Sequence, residues 1–268
     1  MVRVASAAVL VALLALTIWW LPSWATVVLA ALAALVAGEE LAGLARRTGA
    51  DVPRSWAGVS AAVTASAFGV AGTALHGDAG LVGVVLLAVA VAAGAMALAT
   101  SPPGPNALAR PAVVVLAAVY VGAPLGAAAW VRVAGGPGPL TWLLAVIAIS
   151  DSAQFYTGRW LGRRQLAPVV SPAKTVEGAL GGLAAAAAAG AGLAGWWLPA
   201  VGPAEGAGLA LLVSWFGMAG DLFQSILKRS AGVKDSSAII PGHGGVLDRV
   251  DAYLFAAPVF YAFVRFAA

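Results

Sequence analysis

Long apolar runs separated by short polar stretches recur along the whole chain. A membrane-spanning helix needs about 20 predominantly apolar residues. The candidate runs are apolar on every face, whereas the strands of a membrane barrel would alternate apolar and polar residues. The pattern therefore predicts an all-α polytopic integral membrane protein with about nine transmembrane helices. The candidate spans are residues 4–22, 24–38, 55–75, 79–99, 111–131, 140–157, 177–198, 206–227 and 248–267.

The composition points to the same class of protein. The 268 residues are 62% hydrophobic and 10% charged, whereas a soluble domain is about 45–50% apolar and about 25% charged. These values exclude an ordinary soluble enzyme, a disordered chain and a nucleic-acid-binding domain, so no nucleic acid is expected as a partner. Because the chain has no cysteine, disulfides, thiol catalysis and thiolate metal sites are excluded as well.

The distribution of basic residues predicts the orientation. If the N-terminus lies inside and nine spans alternate, the outside segments keep only Arg132 and Arg265 of the 15 Lys and Arg residues. Cytoplasmic loops of membrane proteins carry an excess of Lys and Arg. We therefore predict the N-terminus inside and the C-terminus outside, in the inner membrane of a bacterial cell, with the active site on the cytoplasmic face.

Charged and glycine-rich motifs are concentrated in the second half of the chain. Residues 1–145 are interpreted as a transmembrane scaffold. Residues 146–268 are interpreted as a catalytic half with two cytoplasmic polar loops, at 157–176 and 228–247.

An acid lies within the eighth predicted span. A carboxylate inside a membrane helix costs about 2.5–3.5 kcal/mol, so Asp221 needs a cation, a metal ion or a water-filled cavity. Ser225 and Lys228 follow at i+4 and i+7 and share its helix face. An internal ion pair of Asp221 with Lys228 or an arginine is the alternative interpretation.

Two further acids, Asp248 and Asp251, begin the last predicted span. A helix N-terminus favours an acid, but this explains one acid better than a pair that repel each other. Together with Asp221 they would make an oxygen-rich site suited to Mg²⁺, which binds through one or two carboxylates and substrate phosphates. The pattern therefore predicts a magnesium site, with one or two metal ions.

The loop between these acids is glycine-rich and basic. Gly242, Gly244 and Gly245 allow the backbone to approach a ligand closely. Positive charge comes from Lys228, Arg229, Lys234 and Arg249, and hydroxyls come from Ser236 and Ser237. This combination suits a polyphosphate beside a metal ion; a basic loop facing lipid headgroups is the alternative. His243 could donate a hydrogen bond to phosphate, act as a base or stabilise the loop.

The other polar loop follows Asp151. The pair Ser171–Pro172 is typical of an N-cap and a first helical residue. We therefore expect the seventh helix to begin here, with Lys174 in its first turn and an anion site at its N-terminus.

The run S-x-x-K-R-x-x-x-x-K-D-x-S-x-x-I-P-G-H-G-G-x-x-D-R-x-D, from Ser225 to Asp251, closely resembles the signature of the phosphatidate cytidylyltransferases, or CDP-diacylglycerol synthases. The Asp151 segment and the stretch 171–178 resemble two further blocks of that family. Members more often have a second basic residue where Ala173 stands and an aromatic residue where Val176 stands.

This resemblance implies a homodimeric multi-span enzyme of phospholipid biosynthesis. It would transfer a cytidylyl group from CTP to phosphatidic acid, with Mg²⁺, and release CDP-diacylglycerol and pyrophosphate. Nucleophile and electrophile are both anionic, so metal ions and cationic side chains must neutralise charge, and no protein nucleophile is needed.

The expected metal ligands are Asp221, Asp248 and Asp251. The expected catalytic residues are Asp221, Lys228, Arg229, Lys234, His243, Asp248 and Arg249. The expected substrate-binding residues are Ser171, Lys174, Ser225, Gly242, Gly244 and Gly245.

Two other functions compete with this interpretation. One is a related CTP-dependent membrane enzyme, either a cytidylyltransferase for another lipid phosphate or a polyprenol-type kinase; the long signature argues against the kinase. The other is a secondary transporter with intramembrane acids. Transporters often carry inverted repeats, and no internal repeat is visible in this sequence.

Overall fold

The computed structural model describes residues 2–73, 79–100, 104 and 107–267, and these residues are mainly helical. The helices are α1 (Val2–Trp19), α2 (Ser23–Arg47), α3 (Arg54–Ala71), α4 (Ala79–Thr100), α5 (Ala109–Gly135), α6 (Pro137–Leu161), α7 (Val176–Trp197), α8 (Pro203–Ser230) and α9 (Leu247–Phe266). Helix α5 contains a π-helical segment, Ala117–Gly122. The strands β1 (Gln165–Ala167) and β2 (Ser171–Thr175) form an antiparallel hairpin.

The helical class of the protein is confirmed. Among the described residues, five helices are long and apolar enough to cross a membrane: α2, α4, α5, α7 and α8. Helix α4 shows the physical reason most clearly, because Leu87, Val91 and Leu98 all project outward, with exposed fractions of 69%, 73% and 89%. A helix whose apolar side chains are exposed on every face is stable only where those side chains face hydrocarbon. The protein is therefore a membrane protein, while nine spans and their orientation stay predictions.

The chain divides into two compact units. The first unit contains Met1–Ala134 and Ser230–Val250, and the second contains Gly135–Arg229 and Asp251–Ala268. The loop between α8 and α9 therefore packs within the unit of the N-terminal helices. The functional division between residues 1–145 and 146–268 stays a prediction.

In the first unit, α2 packs along α3. A Cβ atom on Gly38 would lie 2.7 Å from the carbonyl oxygen of Ala57, so only glycine permits this approach of the two backbones. Small residues are the usual means by which membrane helices pack closely. Helix α2 also runs to Arg47, nine residues beyond the predicted end at residue 38. Glu40, two positions beyond that predicted end, is buried and is an interior residue of the helix.

In the second unit, α6 packs along α7. Trp142 of α6 is fully buried and stacks on Phe260 of α9, with ring centroids 5.3 Å apart. This aromatic pair ties the last helix to α6, and both helices carry acids of the candidate site.

The predicted start of the seventh helix at Ser171–Pro172 is wrong. Ser171 pairs with Ala167 and Thr175 pairs with Gln165 in the hairpin, and α7 begins at Val176. The cap is Thr175, whose hydroxyl accepts a hydrogen bond from the backbone N–H of Gly178 at 3.0 Å. Threonine is a favoured N-cap because its oxygen satisfies an N–H that has no partner within the helix. Lys174 therefore lies on a strand, immediately before the cap.

Candidate active site

The second unit holds a group of charged side chains, here called the charged cluster: Asp151 of α6, Lys174 of β2, Asp221 and Lys228 of α8, and Asp251 of α9. The ammonium of Lys174 contacts the carboxylate of Asp221 directly. Asp221 also interacts electrostatically with Asp151 and Asp251, and Lys228 interacts with Asp251. The cluster thus assembles residues that are up to 100 positions apart in the chain.

The ion pair answers a question that the sequence left open. An ionic partner for Asp221 was expected in Lys228 or an arginine, and the direct contact is with Lys174 instead. The Lys174 and Asp221 side chains are 23% and 35% exposed, so the pair is accessible to a solute. Carboxylate oxygens are the ligands that Mg²⁺ prefers. The three carboxylates of the charged cluster, Asp151, Asp221 and Asp251, provide ligand atoms of this type.

Neutral polar groups support the charged cluster. The hydroxyls of Ser150 and Ser214 share a buried hydrogen bond. The Gln154 amide donates to Ser150 Oγ at 3.3 Å and to Asp151 Oδ1 at 3.2 Å. Gln154 therefore orients the Asp151 carboxylate.

The remaining predicted residues of the second unit lie near the ends of its elements. Ser171 begins strand β2 and Ser225 lies one turn after Asp221 on α8. Arg229, in the last turn of α8, donates from Nε to the carbonyl oxygen of Val170 at 3.5 Å, which links this helix end to the hairpin.

In the first unit, the loop 231–246 between α8 and α9, here called the glycine loop, is held by a buried acid. Glu40 is 5% exposed. Its Oε1 accepts from the Ser237 hydroxyl at 2.6 Å and the Val246 N–H at 3.1 Å. Its Oε2 accepts from the Ser236 hydroxyl at 3.0 Å and the Leu247 N–H at 2.8 Å. One carboxylate therefore binds both ends of the segment from Ser236 to Leu247.

A second buried acid, Asp248, closes the same loop from the first turn of α9. Its Oδ2 accepts from the Ser236 N–H at 2.8 Å and the Gly245 N–H at 2.9 Å, and it shares the single hydroxyl proton of Ser236, whose oxygen lies 2.9 Å away, with Glu40 Oε2. Asp248 is 6% exposed. This predicted metal ligand thus has a structural role in ordering the loop, as an N-terminal acid that satisfies free backbone donors.

The glycine loop borders a cavity of about 520 Å³. A tight turn shapes its wall: Ile240 N donates to Gly244 O and His243 N donates to Ile240 O, each at 2.9 Å. Gly242 and Gly244 have φ of 76° and 79°, a left-handed conformation that residues other than glycine rarely adopt.

The polar side chains at the wall of the cavity are Lys234, Asp235, Ser237, His243 and Arg249. The His243 ring also forms a hydrogen bond between Nδ1 and Ser6 Oγ of α1, at 2.8 Å.

The described residues therefore bring the predicted side chains together in two groups. Lys174, Asp221, Lys228 and Asp251 belong to the second unit, and Lys234, the loop glycines, His243, Asp248 and Arg249 belong to the first. Within either unit, the described part of the chain has no group of three His, Cys, Asp or Glu side chains in a metal-binding arrangement. Sequence reasoning missed Glu40 and Ser6; the signal for Glu40 was an acid that directly follows an apolar run.

Comparisons with known proteins agree with the motif. The sequence profile of the cytidylyltransferase family matches residues 1–267, so the chain belongs to this family. It is 45% identical over 130 residues to a phosphatidate cytidylyltransferase of Synechocystis sp., covering 47% of this chain and 44% of that protein.

Two further relatives share a similar part of the chain. A phosphatidate cytidylyltransferase of Helicobacter pylori is 41% identical over 127 residues, which cover 47% of each chain. The uncharacterized protein YnbB of Escherichia coli K12 is 39% identical over 148 residues, covering 53% of this chain and 49% of that protein. The chain thus spans about half the length of the curated relatives it matches.

Proposed function

We propose that this protein transfers the cytidylyl group of CTP to phosphatidic acid and releases CDP-diacylglycerol and pyrophosphate, as a step of phospholipid biosynthesis. The observation that carries the proposal is the cationic, glycine-walled cavity, found in a chain of the cytidylyltransferase family. Relatives named phosphatidate cytidylyltransferase support the choice of lipid substrate. The membrane helices supply the apolar surroundings that a diacyl lipid requires.

The cavity suits the polyphosphate of a nucleotide. Its volume of about 520 Å³ lies within the usual range of ligand pockets. Lys234 and Arg249 are exposed beside it and offer positive charge, and the turn at Gly242 and Gly244 presents main-chain groups without side chains in front of them. Consecutive backbone N–H groups in such a turn favour anions. His243 is proposed to donate to a phosphate oxygen.

The proposed reaction needs no protein nucleophile. A phosphate oxygen of phosphatidic acid attacks the α-phosphorus of CTP and forms the new P–O bond. The bond from the α-phosphorus to the oxygen that bridges it to the β-phosphate breaks, and pyrophosphate leaves with that electron pair. Because both reactants are anionic, the chain contributes mainly by placing cations near the developing charge. Lys174, Lys228 and Arg229 of the second unit, with Ser171 and Ser225, are proposed to bind phosphates of the lipid or the leaving group.

A magnesium ion, when bound, would neutralise phosphate charge. We propose Asp221 and Asp251 as its ligands, because both belong to the charged cluster and each carboxylate has one described donor, Lys174 for Asp221 and the Ala252 N–H for Asp251. Asp248 stays a predicted ligand, but two backbone N–H groups and the shared Ser236 hydroxyl already occupy its Oδ2. Asp151, oriented by Gln154, would attract the ammonium of Lys174 and help to hold it in place.

We further propose that the protein lies in the inner membrane of a bacterial cell with these loops toward the cytoplasm, and that it is a homodimer. The excess of basic residues in the loops supports the orientation. CTP is a cytoplasmic substrate, so the same orientation places the loops where CTP is available.

The experiment that tests the proposed function uses purified protein in detergent with cytidine-labelled CTP, dioleoyl phosphatidic acid and Mg²⁺. We expect a lipid-soluble, cytidine-labelled product that forms neither with EDTA nor with the Asp221→Asn variant. Parallel reactions replace phosphatidic acid by a polyprenyl phosphate or by diacylglycerol. Product from one of these lipids alone would contradict the proposed substrate, and no product from folded protein with any lipid would contradict the proposed reaction.

A further inference from the structure

A buried carboxylate lies outside the residues to which the proposed function assigns a role. Glu40 belongs to α2, and the segment that it contacts begins 196 positions later in the chain. None of the four groups that it binds is a cation: they are two serine hydroxyls and two backbone N–H groups. A buried carboxylate is retained only where hydrogen bonds compensate for its lost hydration, so this arrangement is specific to one conformation of the loop.

The contacts of Glu40 span the glycine loop from end to end. Ser236 and Ser237 lie before the turn at residues 240–244, and Val246 and Leu247 lie after it, where α9 begins. Glu40 therefore closes a loop of about ten residues in the way that a crosslink would. It also satisfies the N–H of Leu247, the first residue of α9, which has no partner within its own helix.

The packing around Glu40 leaves little freedom for another arrangement. A Cβ atom on Gly245 would collide with the Ser236 hydroxyl and with both Glu40 carboxylate oxygens. The Ser236 hydroxyl lies between the two acids, 3.0 Å from Glu40 Oε2 and 2.9 Å from Asp248 Oδ2. The loop conformation thus depends on Glu40, Ser236 and Asp248 together.

We propose that Glu40 is a positioning residue that holds the glycine loop in the conformation that binds CTP, without touching the substrate. This inference rests on the proposed function for the identity of the ligand. Loss of the Glu40 hydrogen bonds would leave the loop in its binding conformation for only a fraction of the time. The apparent affinity for a ligand falls by that fraction, while the bound enzyme keeps its turnover rate.

The test compares Glu40→Gln with Glu39→Gln, a matched control that lies one position earlier on α2 and is only partly buried. Glutamine keeps the shape of the side chain, but its NH2 group replaces one carboxylate oxygen and can only donate, so two of the four donors that Glu40 binds lose their acceptor. We expect Glu40→Gln to raise KM for CTP by about tenfold, with kcat changed by less than about threefold. The control should keep both values. General loss of folded protein would instead lower kcat at constant KM, so kcat falling with KM unchanged would overturn the proposal.

A second measurement does not depend on activity. Lys234 and Arg249 flank the segment held by Glu40 and both are exposed, so trypsin can report how often the loop opens. Without substrate, Glu40→Gln should speed cleavage at these two positions by about tenfold relative to Glu39→Gln. Equal cleavage rates in the two variants would overturn the proposal. If the wild-type protein shows no cytidylyl transfer yet the cleavage rates differ, the proposed function fails while the role of Glu40 in holding the loop stands.

A further variant keeps the test valid if Glu40→Gln does not fold. Ser237→Ala removes the shortest of the four hydrogen bonds, at 2.6 Å. We expect cleavage to be faster than in the wild type but slower than in Glu40→Gln. Because Ser237 acts through Glu40, adding Ser237→Ala to Glu40→Gln should change the cleavage rate little. A fully additive effect in the double variant would contradict the assignment.

Discussion

Lys174, on the hairpin strand β2, contacts the carboxylate of Asp221, which lies 47 positions later on helix α8. Asp221 also interacts with the carboxylates of Asp151 and Asp251. Lys174 therefore offsets the charge of the acids in the second unit together with Lys228, which interacts with Asp251. The hairpin places the ammonium group of Lys174 beside Asp221 through its strand β2.

The Asp221→Asn variant should lose turnover by at least about a hundredfold, because it removes a charge that the proposed reaction requires. Its free energy of unfolding should change by only about 1 kcal/mol, since the ion pair is partly exposed. Steady-state kinetics and thermal unfolding in detergent check the two expectations.

The control for this variant is Asp51→Asn. Asp51 also pairs with a basic residue, Arg110, at 2.8 Å, and its side chain is 73% exposed. Asp51→Asn makes the same chemical change as Asp221→Asn, at an ion pair of the first unit to which no function is assigned. Turnover above half the wild-type value in Asp221→Asn would contradict the proposed role of Asp221.

Arg249 should contribute to nucleotide binding. It lies at the cavity wall and is exposed, so Arg249→Gln should weaken CTP binding by about 1–3 kcal/mol, as is typical for a hydrogen bond to a charged group. The binding of CTP, measured by isothermal titration, should also become less sensitive to salt in this variant. Arg47→Gln, an exposed change at the end of α2, serves as the control and should bind CTP as the wild type does.

Asp248 should stabilise the glycine loop even in the absence of substrate. Its Oδ2 accepts two backbone hydrogen bonds and shares the Ser236 hydroxyl proton with Glu40, and its side chain is buried. Asp248→Ala should therefore lower the free energy of unfolding by about 2–4 kcal/mol, because it leaves buried donors without a partner. Asp248→Asn keeps one oxygen acceptor and should lose less. If Asp248→Ala unfolds at the wild-type temperature, the structural role assigned to Asp248 is wrong.

The positions of most helices follow from the sequence, because a membrane selects for apolar runs of fixed length. The ranges predicted at 79–99 and 248–267 coincide closely with the helices α4 and α9, of which α4 is long and apolar enough to cross a membrane. The hairpin was missed since Ser171–Pro172 has the composition of a helix start, while its strand pairing depends on Gln165 and Ala167 across the turn.

The site was predictable only where its residues lie in one motif. The glycine loop and Asp248 stand in a single run of sequence, and the loop glycines do shape a cavity wall. Glu40 lies 196 positions away from Ser236, and no local pattern links the two. A single sequence does not reveal such a partner, because the contact depends on how α2 packs against the loop.

The corrected start of α7 can be tested directly. Thr175 caps this helix through the Gly178 N–H, so Thr175→Ala should lower the free energy of unfolding by about 0.5–2 kcal/mol. Thr175→Ser should restore most of the loss, because serine keeps the hydroxyl. Ser171→Ala should lower the free energy of unfolding, measured by thermal unfolding, less than Thr175→Ala does. A larger effect at Ser171 would favour a helix that begins there.

The central claim is that the cytidylyl group, and not the terminal phosphate of CTP, passes to the lipid. Purified protein is incubated with phosphatidic acid, Mg²⁺ and CTP that carries labelled phosphorus at the α-position in one reaction and at the γ-position in the other. The account predicts α-label in the lipid fraction and γ-label in pyrophosphate. Transfer of γ-label to the lipid, with α-label left in a water-soluble nucleotide, would show a kinase and contradict it.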